Sequence, residues 1–145
     1  MAKDQFTKEE QTRIVGAIKT AENKTSGEIQ VHLENHCKTD VMDRAADVFA
    51  ILKMHKTKLR NGVLFYMATK DHKFAILGDV GINQTVPDDF WDDIKTRMMV
   101  HFSQGYITDG LCEGILMAGE ALKAHFPIQD DDINELPDEI SFGKN

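Results

Sequence analysis

Cysteine is scarce. The 145 residues hold two, Cys37 and Cys112, far apart and without paired spacing, so neither a disulfide framework nor a zinc knuckle is expected and both thiols should be free. No apolar run approaches the ~18 residues of a membrane span. The opening MAKDQFTKEEQ lacks the apolar core of a secretory leader, so a cytoplasmic location with no transmembrane segment is expected. Basic residues are outnumbered, 17 Lys and Arg against 24 Asp and Glu for a net charge of −7. That balance argues against non-specific nucleic-acid binding and for tolerance of cations. The phosphate-cradling G-x-x-x-x-G-K-[ST], the nucleophile elbow G-x-S-x-G, the dinucleotide fingerprint G-x-G-x-x-G and the EF-hand loop are all missing. Cys37 and Arg44 stand in a Cys-x6-Arg spacing, one residue too long for a cysteine-phosphatase loop and without a glycine between them. His32 and His36 straddle a strand end, which makes them poor metal ligands. No catalytic residue is assigned.

What remains is an ordinary globular composition, 41% hydrophobic and 28% charged. A chain of this length makes one domain that buries roughly two-thirds of its unfolded surface. Residues 128–145 carry six acids against one lysine, net −5, leaving −2 on the rest. The expected organisation is a folded domain over 1–127 and an acidic tail over 128–145 that docks, if at all, through Ile128, Ile133, Leu136, Ile140 and Phe142.

Thr7-Lys8-Glu9-Glu10 is a capping box opening a helix over about 8–22, with Ile14, Ile18 and Ala21 on its buried stripe. Residues 28–34 alternate as a strand with Ile29, Val31 and Leu33 inward. Asp40 caps a helix over about 41–54. A connector follows over 53–60, with four Lys/Arg and no acid. Apolar runs over 63–68 and 74–77, separated by a four-residue turn, read as a hairpin of buried strands. Pro87 suits the first turn of a helix over about 87–103, and Thr108 the cap of another to about 125. Strand, helix, strand order predicts a right-handed parallel crossover. The fold class is α/β, a three-layer α/β/α sandwich around a mixed sheet of about four strands.

This topology gathers Glu28, Asn61 and Asp79 at one sheet edge, with Asp88 and Asp89 on the loop leaving it. These are hard oxygen donors suited to calcium, with magnesium as the alternative. The segment Gly78–Asn83 reads as a glycine-permitted loop that turns its carbonyls toward a cation. Turn and capping chemistry explain the same residues about as well. The connector residues Lys58 and Arg60 end beside this edge and suit a phosphate, Arg60 as a bidentate partner.

Several blocks carry a family resemblance: Asn61-Gly62-Val63-Leu64; Lys73-Phe74-Ala75-Ile76-Leu77-Gly78-Asp79-Val80-Gly81-Ile82; and Phe102-Ser103-Gln104-Gly105-Tyr106 with Gly110-Leu111. Thr25-Ser26-Gly27-Glu28-Ile29 and Asn134-Glu135-Leu136-Pro137 add to them. Over about residues 6 to 126 the chain resembles the TPM-domain family, in particular its soluble bacterial type, related to the plant thylakoid branch. The resemblance implies an α/β/α sandwich, calcium binding, and the acid-phosphatase activity proposed for that branch. The family's acidic positions map onto Asn61 and Asp79, and further along onto Asp88 and Asp89. Arg60 replaces an acid that many members carry before Asn-Gly. The functional expectation is a divalent-cation binding or interaction module, with a metal-assisted phosphomonoesterase acting on a phosphorylated small molecule or protein as the alternative.

Overall fold

The computed structural model describes residues 2–128 and 135–144. Its sheet has four strands, β1 (Glu28–Glu34), β2 (Gly62–Ala68), β3 (Lys73–Gly78) and β4 (Ser141–Phe142), in the order β3-β2-β1-β4. β1 runs parallel to β2 and to β4, and β2 runs antiparallel to β3. Five helices flank it: α1 (Lys8–Glu22), α2 (Val41–Ile51), α3 (Val80–Asn83), α4 (Asp92–Ser103) and α5 (Ile107–Leu122). The expected three-layer α/β sandwich with a mixed sheet is what forms.

The layers follow from strand parity. Val63, Phe65 and Met67 of β2 join Ile29, Val31 and Leu33 of β1 in the larger core, closed by Ile14 and Ile18 of α1, Ile94 and Met98 of α4, and Ile115 and Leu122 of α5. Leu64, Tyr66 and Ala68 face the other way, onto Ala45, Val48 and Phe49 of α2. A strand buried on both faces needs apolar residues at every position, and β2 has them.

Local chemistry places the helices. Thr7 and Glu10 close the capping box of α1 with two 3.0 Å bonds. Asp40 caps α2 by accepting from Met42 and Asp43 amides. α2 ends at Ile51, short of the expected residue 54, because Lys53 turns left-handed at φ 56° before a short 3-10 turn over Met54–Lys56. α4 begins at Asp92, not Pro87, since residues 87–91 close three-residue turns (Phe90 amide to Pro87, Asp92 amide to Asp89). Thr108 does not cap α5. It lies inside the helix, and its hydroxyl donates to Glu10 instead, at 2.8 Å. The segment 80–83 is not an open glycine loop. It is the helical turn α3, capped by Asp79.

Two further corrections concern β1 and the tail. The alternation of β1 marks one inward face, yet all seven residues are buried. Glu28, Gln30, His32 and Glu34 lie under cover as well, partly because residues 135–144 return across this strand. Leu136 joins the core on the α2 side, and Ser141 and Phe142 pair with His32 and Leu33. Ile133, expected to help dock the tail, lies outside the described residues.

α1 and α5 pack closely at Gly119, where an added Cβ would come within 2.6 Å of the Ala21 Cβ and 3.0 Å of its carbonyl oxygen. Backbone cannot yield as a side-chain tip can, so Gly119→Ala is expected to destabilise the fold by about 1–3 kcal/mol despite its better helix propensity. Urea unfolding monitored by circular dichroism measures this; an unchanged or raised midpoint contradicts it.

Candidate functional site at the strand edge

Parallel register sets Glu28 opposite Gly62, and the Glu28 amide donates to the Asn61 carbonyl at 3.1 Å. Antiparallel register sets Val63 opposite Gly78, and the Asp79 amide donates to Gly62 at 2.9 Å. Glu28, Asn61 and Asp79 thus meet at one edge, as the topology predicts, and are only 5%, 2% and 5% exposed.

Each is already engaged. The Asp79 carboxylate accepts from Arg60 Nε at 2.7 Å and Nη2 at 2.8 Å, a bidentate pair, while also taking the Val80 amide at 2.7 Å. It therefore caps α3, where a negative charge meets the positive helix end. Arg60 reaches it from a left-handed backbone at φ 51°. Donating to the Asp79 carboxylate raises the guanidinium's affinity for its proton further still. α3 can lie against this connector only because residue 81 is glycine: a Cβ there would run into the Leu59 and Arg60 carbonyl oxygens. The carbonyls once expected to face a cation are taken, Gly78 by the Asn83 side chain at 3.0 Å and Gly81 by the Thr85 hydroxyl at 2.8 Å.

Glu28 is held by the tail. One carboxylate oxygen accepts from the Leu136 amide at 2.8 Å and from the Glu135 amide, while the Glu135 carboxylate accepts from the Lys58 amide at 3.2 Å. Lys58 thus meets this site through its backbone. Asp88 and Asp89 lie exposed in the turn before α4, and neither is hydrogen-bonded or ion-paired to Glu28, Asn61, Arg60 or Asp79 among the described residues. Among those residues no group of three or more His, Cys, Asp or Glu is placed to hold a metal ion.

Asn61 is different. Its Nδ2 donates to the Ser26 carbonyl at 2.9 Å, but its Oδ1 is buried with no hydrogen-bond partner. An unmatched buried acceptor loses hydration worth about 1–3 kcal/mol. Asn61 Oδ1 and the Asp79 carboxylate are hard oxygens of the kind calcium and magnesium take. Asp79 is held by Arg60, so of the two only the Asn61 oxygen is without a hydrogen-bond partner.

Two groups beyond the expected set share this neighbourhood. Glu22 accepts from the Ile29 amide at 2.9 Å, satisfying a β1 donor that faces away from β2. Burial, then its hydrogen bond with Asp138, pushes the Glu22 carboxyl up to about 9; burial and the nearby Glu135 charge carry Glu28 to about 7.

At the other end of β1 lies a buried network that sequence reading missed. Glu34 is fully buried and accepts from Arg44 Nε and Nη2, both at 2.9 Å, from the Tyr66 hydroxyl, and from His32 Nε2 at 3.1 Å. Burial alone would raise its pKa, but these partners outweigh it and hold the carboxyl at about 2. Desolvation lowers His32, whose Nδ1 meets the Ser141 hydroxyl at 2.8 Å. The signal was present in the polar row Glu28, Gln30, His32, Glu34, which alternation assigns to solvent.

The α/β/α sandwich with a capped, ion-paired strand edge defines the class, and comparison with known proteins defines the family. The TPM-domain profile matches residues 2–121. The chain belongs to the TPM-domain family. It is 54% identical to the BA42 protein of the psychrophilic bacterium Bizionia argentinensis, whose NMR structure superposes with a TM-score of 0.91 over 95% of each chain. Two more distant structures share the fold: the N-terminal domain of a P. gingivalis protein (20% identity, 83% of this chain and 78% of that one, TM-score 0.68) and that of the cg2496 protein of Corynebacterium glutamicum (13%, 88% and 79%, 0.67). No curated protein matches the chain. None of its described helices is long and apolar enough to cross a membrane.

These carboxyls dictate a pH response. Glu22 and Glu28 bind protons more tightly folded than unfolded, so the folded state binds more protons from about pH 4.5 to 9 and loses stability as pH rises through that range. Glu34 works oppositely: its contribution is complete above about pH 4.5 and is lost as pH falls toward 2. The melting temperature is expected to peak near pH 4.5 and to fall toward pH 9, and Glu22→Gln should flatten the alkaline limb. Calorimetry across pH checks both; an alkaline limb unchanged in Glu22→Gln contradicts the assignment. Arg44→Ala, which strands a buried carboxylate, should destabilise by about 3 kcal/mol at pH 7.

Proposed function

We propose that this TPM domain is a divalent-cation binding module that takes calcium, or magnesium, at Asn61 and Asp79, with Arg60 as the resident counter-charge the ion displaces. The buried, unpartnered Asn61 Oδ1 is the observation that supports it. Asp79 supplies the negative charge from a site only 4% exposed at its side chain, while the Arg60 side chain is 45% exposed and free to swing into water. Two protein oxygens leave most of the coordination sphere to water, which suits magnesium's retained hydration and a weak calcium site. Glu28 joins when its tail amides let go, and Asp88 and Asp89 when the 84–91 segment moves toward the edge.

The same pair favours one second reading. Arg60, released from Asp79, becomes a bidentate partner for a phosphoryl group beside Lys58, as a metal-assisted phosphomonoesterase requires. Hydrolysis of an aryl phosphate that needs the cation, and is lost in both Asp79→Asn and Arg60→Ala, would support it.

Calcium titration of the amide NMR spectrum tests the binding reading. Saturable shifts are expected at Asn61, Asp79 and residues 81–89, absent in Asp79→Asn. Arg60→Ala should tighten binding, since the ion then has no resident counter-charge to displace from Asp79. Spectra unchanged at millimolar calcium and at millimolar magnesium rule the module out.

A further inference from the structure

At the far end of the sheet from Asn61 and Asp79, a cavity of about 220 Å³ opens between the β2–β3 turn and the α4–α5 turn. Met67, Phe74, Met99, Phe102 and Ile107 form its apolar wall. The Phe74 and Phe102 rings meet edge to face, centroids 5.1 Å apart at 79°. Gly105 lines one side at φ +84°, and a Cβ there would find nothing within 4 Å, so the space beside it is open. Met99 on the wall and Tyr106 next to Gly105 in the chain leave 58% and 56% of their surface in water. Large apolar side chains so exposed beside a concave apolar surface mark a place where a ligand would bury them.

We propose that this cavity binds a small aromatic molecule of one or two fused rings that carries a single N–H or O–H donor. Volume sets the size. A dry apolar cavity of roughly 150 Å³ takes a benzene-sized guest, so this one has room for a second ring but not for a nucleotide or an acyl chain. The wall sets the class: thioether sulfur and ring edges both attract an aromatic face, and two methionines adapt to its outline. Water is a poor occupant, having few polar partners here.

The polar groups set the donor. Ser103 and His72 are the polar side chains on the wall. The Ser103 hydroxyl already donates its hydrogen to the Val100 carbonyl at 2.9 Å, so toward the cavity it offers only lone pairs. A ligand N–H or O–H can donate to that oxygen in place of water; a carboxylate cannot. His72, in a left-handed conformation at φ 54°, contributes the second polar edge. The cavity shares no residue with the strand edge, and the proposal stands apart from the cation reading.

Indole is the probe. Titrated into the full chain, it is expected to shift the Met67 and Met99 methyl signals and the amides of 103–107 saturably, with calcium present or absent. 1-Methylindole, which lacks the donor, and the exposed-site variant Ser103→Ala should each bind at least threefold more weakly. Ile107→Phe, which fills the cavity, should abolish the shifts. Non-saturating shifts, or shifts centred elsewhere, overturn the site. Equal affinity for 1-methylindole and in Ser103→Ala overturns the donor-bearing class. Should Ile107→Phe fail to fold, the Ser103→Ala comparison decides alone, because that side chain is solvent-exposed and outside the core.

Discussion

A single buried carboxylate, that of Glu34, holds the layers in register. It has no exposed surface and is ionised, an arrangement that would be strongly unfavourable without compensation. Compensation comes from three directions: Arg44 on α2, Tyr66 on β2 and His32 on its own strand. His32 passes the connection on to Ser141, and Gly143 lies so close over Glu34 that its amide reaches the Leu33 carbonyl at 2.8 Å. Helix, sheet and tail are therefore fitted to one charge. Apolar burial supplies the bulk of the stability, but it is not directional. The Glu34 network is, and it explains why α2, which packs on β2 and β3, and the tail, which pairs with β1, settle on the sheet in this orientation.

The sequence was most legible where local chemistry and periodicity agree. α1 and β1 begin and end as read, because a capping box and a clean two-residue alternation are signals complete within their own segments. β2 and β3 lie within a residue of the expected runs. Legibility failed where a distant segment decides. The polar face of β1 looks solvent-facing until residues from 135 onward fold over it. β4 has two residues, too few for any pattern to announce. α3 looks like a loop in the sequence because glycine at 81 signals freedom, whereas its role is to let two backbones touch.

The strand edge shows the same division. Its membership followed from topology, since parallel and antiparallel registers bring Glu28, Asn61 and Asp79 together without reference to side chains. Its occupancy did not. Arg60, recognised in the sequence as a departure from the family pattern, stands as an internal cation on Asp79, and the tail amides stand as donors on Glu28. An ion at this edge would replace interactions the chain makes with itself, which ties cation affinity to the chain's own conformational preferences.

The position of β4 along the chain bears on biosynthesis. It emerges from the ribosome after every other described element, yet it covers the free edge of β1 beside His32 and Leu33. Until then a nascent chain carries a nearly complete sheet with an open strand edge, the feature most prone to pairing with a neighbour. The Glu22 carboxyl on the Ile29 amide belongs to α1, already made, and blunts part of that edge in advance. Early polar capping by a side chain, followed by late closure with backbone, is a sequence of protections written into the order of translation.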